Sequence, residues 1–262
     1  MNPRDFINKY LLTGPMRLSE GAAKEDIARF LRSVFPVTTE HALVRIGGDS
    51  DGGYLVPDDL SGIKTCFSPG VSDNAGFEEG LAARGIRSFM ADYSVEGPPV
   101  PNALFHFEKK YLGTRNDEAF TTLESWISRH APHDSEMILQ MDIEGAEYAV
   151  LLATPPEVLR RFRIVIIEFH GLDSLAELRG LELLGMSFEK LTRDFDIVHS
   201  HVNNCAKVAS YSGFDLPQVM EFSLLRKDRS KSRVPAKNFP HPLDRANAPG
   251  KKDIRLPACW HA

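Results

Sequence analysis

Cysteine is scarce. Cys66, Cys205 and Cys259 are the only three in 262 residues. Their odd number and the lack of any CxxC spacing exclude a disulfide framework and a zinc knuckle, and leave reduced thiols. Excess positive charge is missing as well: 31 Lys and Arg stand against 36 Asp and Glu, for a formal net charge of -5. Without a global basic field, bulk binding to a nucleic-acid backbone is excluded. Long apolar runs are also absent. The most apolar stretch, Ile164 to Phe169 (IVIIEF), is far shorter than the roughly 20 residues of a membrane span, and the opening MNPRDFINKYLLTG has no apolar signal-peptide core. The expectation is a cytoplasmic protein with no membrane partner. There is no internal repeat.

What is present is ordinary globular material, 42% hydrophobic, 9% aromatic and 26% charged, enough for one large α/β domain with terminal decorations. Apolar residues at three- and four-residue intervals in DFINKYLL and EDIARFLRSVF predict a helical extension over residues 1–40, ended by Pro36. From residue 64 the pattern alternates. Strands are expected at Lys64 to Ser68, Ser88 to Ala91, Leu104 to Phe107, Met137 to Met141 and Arg163 to Phe169, with helices around Gly76 to Arg84, Leu123 to His130, Pro156 to Arg161 and Ser174 to Leu184. Strands apolar on both faces, separated by helices, predict a Rossmann-like, doubly wound, mostly parallel sheet. Two further runs, Asp196 to His201 and Val219 to Leu225, read as an antiparallel hairpin closing the sheet, with a polar loop from Asn203 to Pro217 between them. The resulting division is an N-terminal helical cap (1–40), the sheet domain (41–227) and a proline-rich tail (228–262) expected to lie over the surface and add little to the core.

Ligands of open parallel sheets bind beyond the carboxyl ends of the strands, so the residues just after each strand matter most. The first strand runs into Ser68-Pro69-Gly70-Val71-Ser72-Asp73, a glycine turn feeding a helix that begins Gly76-Phe77-Glu78. Such a turn lets a ligand approach the backbone and offers unpaired N–H groups. Asp92 follows the second strand, 22 positions after Gly70, where nucleotide folds grip ribose hydroxyls. The fourth strand enters Asp142-Ile143-Glu144-Gly145-Ala146-Glu147, with its carboxylates crowded at the sheet edge; the start of a helix is a further reason for acids there. Glu168 and His170 end the fifth strand. His199 and His201 share one strand face, where an imidazole could take a proton from a hydroxyl. The same Asp, Glu and His set could instead hold a divalent metal.

The segment MDIEGAEYAVL (Met141 to Leu151) resembles the signature of the FkbM-type methyltransferases. RIGGDSDGGYLVPDDL (Arg45 to Leu60) is similar to the D-G-G-Y segment of a related branch, in which a turn ending in F-E follows, as Phe77-Glu78 does here. IIEFHGL and HSHVNN extend the likeness, which covers roughly residues 43–226. The resemblance implies a Rossmann-like fold, S-adenosylmethionine as cofactor and O-methylation of a sugar or small natural-product hydroxyl. On it, Gly70, Asp73, Glu78 and Asp92 bind the cofactor, while Asp142, Glu144, Glu168, His170 and His201 face the acceptor. The chain departs from the common D-x-G-x-x-x-G turn, having Ser68 where the acid would stand, so Asp73 or Glu78 must supply that carboxylate. Two other classes compete: a metal-dependent hydrolase built on the acid and histidine cluster alone, and a non-catalytic nucleotide-binding module that keeps only Gly70 and Asp92.

Overall fold

Every residue of Met137–Met141 is buried, as expected of a strand covered on both faces by other layers. In the computed structural model, which describes residues 19–262, it lies at the centre of a seven-stranded sheet. The strands in chain order are β1 (Thr65–Pro69), β2 (Arg87–Ala91), β3 (Phe105–Glu108), β4 (Met137–Met141), β5 (Phe162–His170), β6 (Phe195–Val202) and β7 (Val219–Arg226). Across the sheet their order is β6-β7-β5-β4-β1-β2-β3. Pairings from β3 to β5 are parallel, whereas β7 runs antiparallel to both β5 and β6. The architecture is a Rossmann-like α/β fold with an antiparallel C-terminal pair.

Side chains alternate between the two faces of the sheet because the strand period is two. Met137, Leu139 and Met141 of β4, with Val165, Ile167 and Phe169 of β5, pack beneath α1 (Lys24–Ser33), α3 (Leu123–His130), α4 (Glu147–Ala153), α5 (Pro156–Leu159) and α6 (Leu178–Asp194). Ile138, Ile164 and Ile166 point the other way, against Phe77 and Leu81 of α2 (Gly76–Ala82) and the hairpin Leu43–Ile46/Tyr54–Pro57. That second face changes character along the strands. Cys66 gives way to Ser68, Ile138 to Gln140, and Ile166 to Glu168, so the face is apolar at the amino ends and polar at the carboxyl ends, where the site lies.

Several expectations need correction. Helix α6 does not stop at Leu184 but continues through Gly185 to Asp194. An interior glycine costs about 1 kcal/mol, and burial of Phe188 and Leu191 beyond it offsets more than that. The expected loop after Asn203 contains its own hairpin, Val208–Tyr211 paired with Phe214–Pro217. The tail is an integral strap. Phe239, Leu256 and Trp260 are buried in the main core, and the Trp260 indole donates to the Asp215 carbonyl at 3.0 Å. Val234–Pro235 pairs with Val37–Thr38. EDIARFLRSVF forms α1, and DFINKYLL lies outside the described residues. None of the described helices is long and apolar enough to cross a membrane.

Candidate functional site

From β1 the chain steps outward through β2 and β3, then returns to place β4 on the other side of β1. This reversal is the switch point at which open α/β sheets bind ligands. A cavity of about 490 Å³ opens there, bordered by Gly70, Asp73, Glu78, Asp92, Asp142 and Glu144 among others. Gly70 sits at φ +89°, and a Cβ at that position would lie 1.5 Å from the Asp142 carbonyl oxygen. Only glycine lets the ends of β1 and β4 approach this closely.

The β1–β2 side of the cavity is internally bonded. Asp92 Oδ2 accepts from the Ser72 N–H at 2.9 Å, and Oδ1 accepts from the N–H and hydroxyl of Ser94 at 2.8 and 2.6 Å. These bonds fix the carboxylate while leaving lone pairs for a ligand. Deeper in, Ser68 Oγ bonds both Glu78 Oε1 and, at 2.6 Å, Gln140 Oε1. Gln140 Nε2 donates in turn to the Tyr54 hydroxyl at 3.2 Å. Burial raises the Glu78 carboxyl to about 7 against the opposing bond from Ser68. One serine proton cannot serve two acceptors, so the consistent arrangement has protonated Glu78 donating to Ser68, which donates to Gln140. Glu78 thus reaches back to the position where an acid was missing from the turn. Asp73 is exposed on the cavity rim.

Beside the cavity, at the ends of β4 and β5, carboxylates crowd around His170; of that group Asp142 and Glu144 line the cavity and Glu147, Glu168 and His170 do not. Gly145 at φ +100° and Glu144 at φ +56° curl the loop so that the N–H groups of Ile143 and Gly145 both donate to Glu147 Oε1, each at 3.1 Å. The same oxygen stands 3.3 Å from His170 Nδ1. From the other ring nitrogen, Nε2, Glu144 Oε2 is 3.4 Å away, Glu168 Oε1 3.6 Å and Asp142 Oδ1 3.9 Å. The Tyr148 hydroxyl donates to the His170 carbonyl at 2.8 Å and anchors the end of β5. Burial lifts Asp142 to about 7, opposed by the His170 charge and helped by Glu144 and Glu147. Burial, followed by the charges of Asp142, Glu221 and Asp51, holds Glu168 well above the usual carboxylate range. Burial pulls His170 down, but the bond to Glu147 and the surrounding carboxylates carry it above an ordinary histidine.

Of the sequence candidates, Asp142, Glu144, Glu168 and His170 converge around one imidazole. His201 is placed differently. Glu168, Glu221 and His201 lie in register across β5, β7 and β6, so Glu221 stands between His201 and the cluster. His201 Nδ1 is 3.5 Å from Glu221 and Nε2 is 3.2 Å from Asp253 of the strap. Burial lowers it, but those two partners raise it to about 10. Paired with Glu221 and the strap, His201 stands apart from the cluster and does not line the cavity. Sequence reasoning missed Tyr54, Gln140, Asp51 and Glu221; the even spacing of polar residues toward the ends of β1, β4 and β5 was the available signal. Two trios, Asp142/Glu147/His170 and Asp51/Glu168/Glu221, each bring one donor atom per residue within 4.8 Å of the others.

An open α/β sheet with a polar cavity at its switch point defines the class as a Rossmann-like α/β protein. Residues 72–199 match the family model described as the methyltransferase FkbM domain. This central portion, which carries Asp92, Asp142, Glu144, Glu168 and His170, belongs to the FkbM-type methyltransferase family. No curated protein matches the chain significantly.

Proposed function

We propose that this protein is an S-adenosylmethionine-dependent O-methyltransferase acting on a hydroxyl of a sugar or small natural-product acceptor. The observation that carries the reading is the pairing of Asp92 with the positive-φ turn at Gly70 on one cavity at the switch point. Bound there, the cofactor supplies an electrophilic sulfonium methyl group. The prealigned oxygens of Asp92 would hold the ribose hydroxyls of the cofactor. Gly70 leaves the backbone open to close approach, and the rings of Tyr111 and Phe120 line the same cavity as an apolar wall for a purine. Glu78, which lines the cavity beside Ser68, would hold the ammonium group by giving up its proton, the nearby positive charge favouring the ionised form.

On the opposite wall, the chain's task is to orient the acceptor hydroxyl and take its proton. Positioning supplies most of the acceleration, and a base near working pH supplies a further part. Asp142, raised to about 7 by burial and lining the cavity with Glu144, suits that transfer. The acceptor class rests on the family resemblance. A hydrolase built on the acidic cluster alone has no use for the Gly70–Asp92 cradle.

The test is thermal stability with S-adenosylhomocysteine, NAD, ATP or a divalent metal added singly, since a ligand that binds only the folded state raises its melting temperature. Stabilisation by S-adenosylhomocysteine and not by NAD or ATP is expected. A response to NAD or ATP alone overturns the reading in favour of a nucleotide-binding module, and a response to metal alone favours the hydrolase.

A further inference from the structure

Four carboxylates surround the single imidazole of His170, which can carry at most one positive charge. Only the Nδ1 contact with Glu147 is a hydrogen bond. At Nε2, three carboxylate oxygens from Glu144, Glu168 and Asp142 stand at 3.4, 3.6 and 3.9 Å, and one N–H cannot serve three acceptors. Each of these distances from Nε2 fits a nitrogen and an oxygen that both lie about 2.0–2.2 Å from one shared cation.

A second observation points the same way. Glu168 is 5% exposed; its Oε1, which faces Nε2, also accepts from Asn203 Nδ2 at 3.1 Å, and its Oε2 has no hydrogen-bond partner, while Asp142 Oδ1, one of the three oxygens facing Nε2, has none either. Buried acceptors left unpaired are costly. Glu168 also lies directly opposite Glu221 across the β5–β7 ladder, where like charges destabilise a sheet. A cation held by the Glu168 carboxylate and Asp142 Oδ1 would satisfy the latter and offset the repulsion.

We infer that Asp142, Glu168 and His170 hold a divalent cation through Nε2 and the two carboxylates, with Glu144 closing the site from solvent. Glu147 acts behind them. Its Oε1, fixed by two backbone N–H groups, accepts from Nδ1 and presents Nε2 to the metal, the usual outer partner of a metal-binding histidine. One imidazole among carboxylates suits a first-row ion such as Mn²⁺. Asp142 and Glu144 also line the large cavity, so the open coordination positions face the acceptor. If the methyl-transfer reading holds, on which this last step rests, the acceptor is a chelating molecule with two neighbouring oxygens.

The experiment titrates the full chain with Mn²⁺, following loss of the solution ion's paramagnetic resonance signal, alongside calorimetry with S-adenosylhomocysteine. One tightly bound Mn²⁺ per chain is expected. His170→Ala and Glu168→Gln should weaken it at least tenfold, and Glu147→Gln by about 10–100-fold. Glu144→Gln alters an exposed side chain that the fold does not need, and a severalfold loss there keeps the test decisive if a buried variant fails to fold. Wild-type protein that binds S-adenosylhomocysteine but neither Mn²⁺, Zn²⁺ nor Mg²⁺ overturns the site, as does Mn²⁺ binding indifferent to all four substitutions. Intact Mn²⁺ binding with no S-adenosylhomocysteine binding keeps the cation site and overturns the methyltransferase reading.

Discussion

The β1–β2 wall of the cavity and the acidic cluster beside it are built on opposite principles. On the β1–β2 wall, each oxygen of Asp92 already has protein donors, and Ser68, Glu78, Gln140 and Tyr54 form a continuous bonded chain. In the β4–β5 cluster, buried oxygens of Asp142, Glu147 and Glu168 have no partner, and Glu168 faces Glu221 across the ladder. The wall is preorganised for a ligand that adds hydrogen bonds to a fixed frame. The cluster stores unfavourable electrostatics that an arriving proton, cation or acceptor relieves. The strap reinforces this contrast. Asn247 donates to Glu221 at 2.5 Å and Asp253 pairs with His201, so the C-terminal segment braces the acidic cluster.

The contrast can be broken one region at a time. Replacing His170 with Ala removes the centre of the acidic cluster, and kcat should fall roughly 10²–10⁴-fold with cofactor affinity near wild type; steady-state kinetics paired with calorimetry check both halves of that statement. Trp260→Ala attacks the strap. Its fully buried indole packs toward Phe222 with ring centroids 6.2 Å apart, so urea unfolding should report a loss of about 3–5 kcal/mol. A surface-draped tail would instead give almost no change.

Asp92→Ala strikes only the bonded wall and should weaken S-adenosylhomocysteine by about 1.5–3 kcal/mol; unchanged affinity by calorimetry would remove Asp92 from the ribose assignment. Two pH experiments sharpen the comparison further. His201 is held at about 10 in the fold, against about 6.5 unfolded. Its contribution is therefore complete below pH 6.5 and lost as pH rises toward 10. The stability difference between wild type and His201→Gln should shrink by about 1–3 kcal/mol from pH 7 to 10. Glu78 has the opposite consequence. Its carboxyl sits at about 7, so the unfolded chain gives up its proton first and stability declines between pH 4.5 and 7. Relative to wild type, Glu78→Gln should gain about 1–2 kcal/mol between pH 5 and 8, read from paired denaturant curves.

Local pattern alone located most of the elements. The apolar run Met137–Met141 and the amphipathic stretch Leu123–His130 match β4 and α3 residue for residue, because strand and helix periods are written into neighbouring side chains. The ends of those strands were legible too, and they carry Asp92, Asp142, Glu168 and His170. What lay beyond reach were relations through space. Gly185 read as a helix end because its cost is local, while the burial of Phe188 and Leu191 that offsets it is not. The prolines after Asp228 read as a loose tail because nothing nearby in the chain reveals that Trp260 finds Asp215 and Phe222. His201 and Asp253 are 52 positions apart, and Glu78 meets Ser68 only after α2 folds back onto β1. By itself the sequence determined the order of strands and helices and which residue types stand at the strand ends. Tertiary structure alone decided which of those groups are charged, paired or left wanting a partner, because protonation and pairing depend on burial and on distances of a few ångströms between segments remote in the chain.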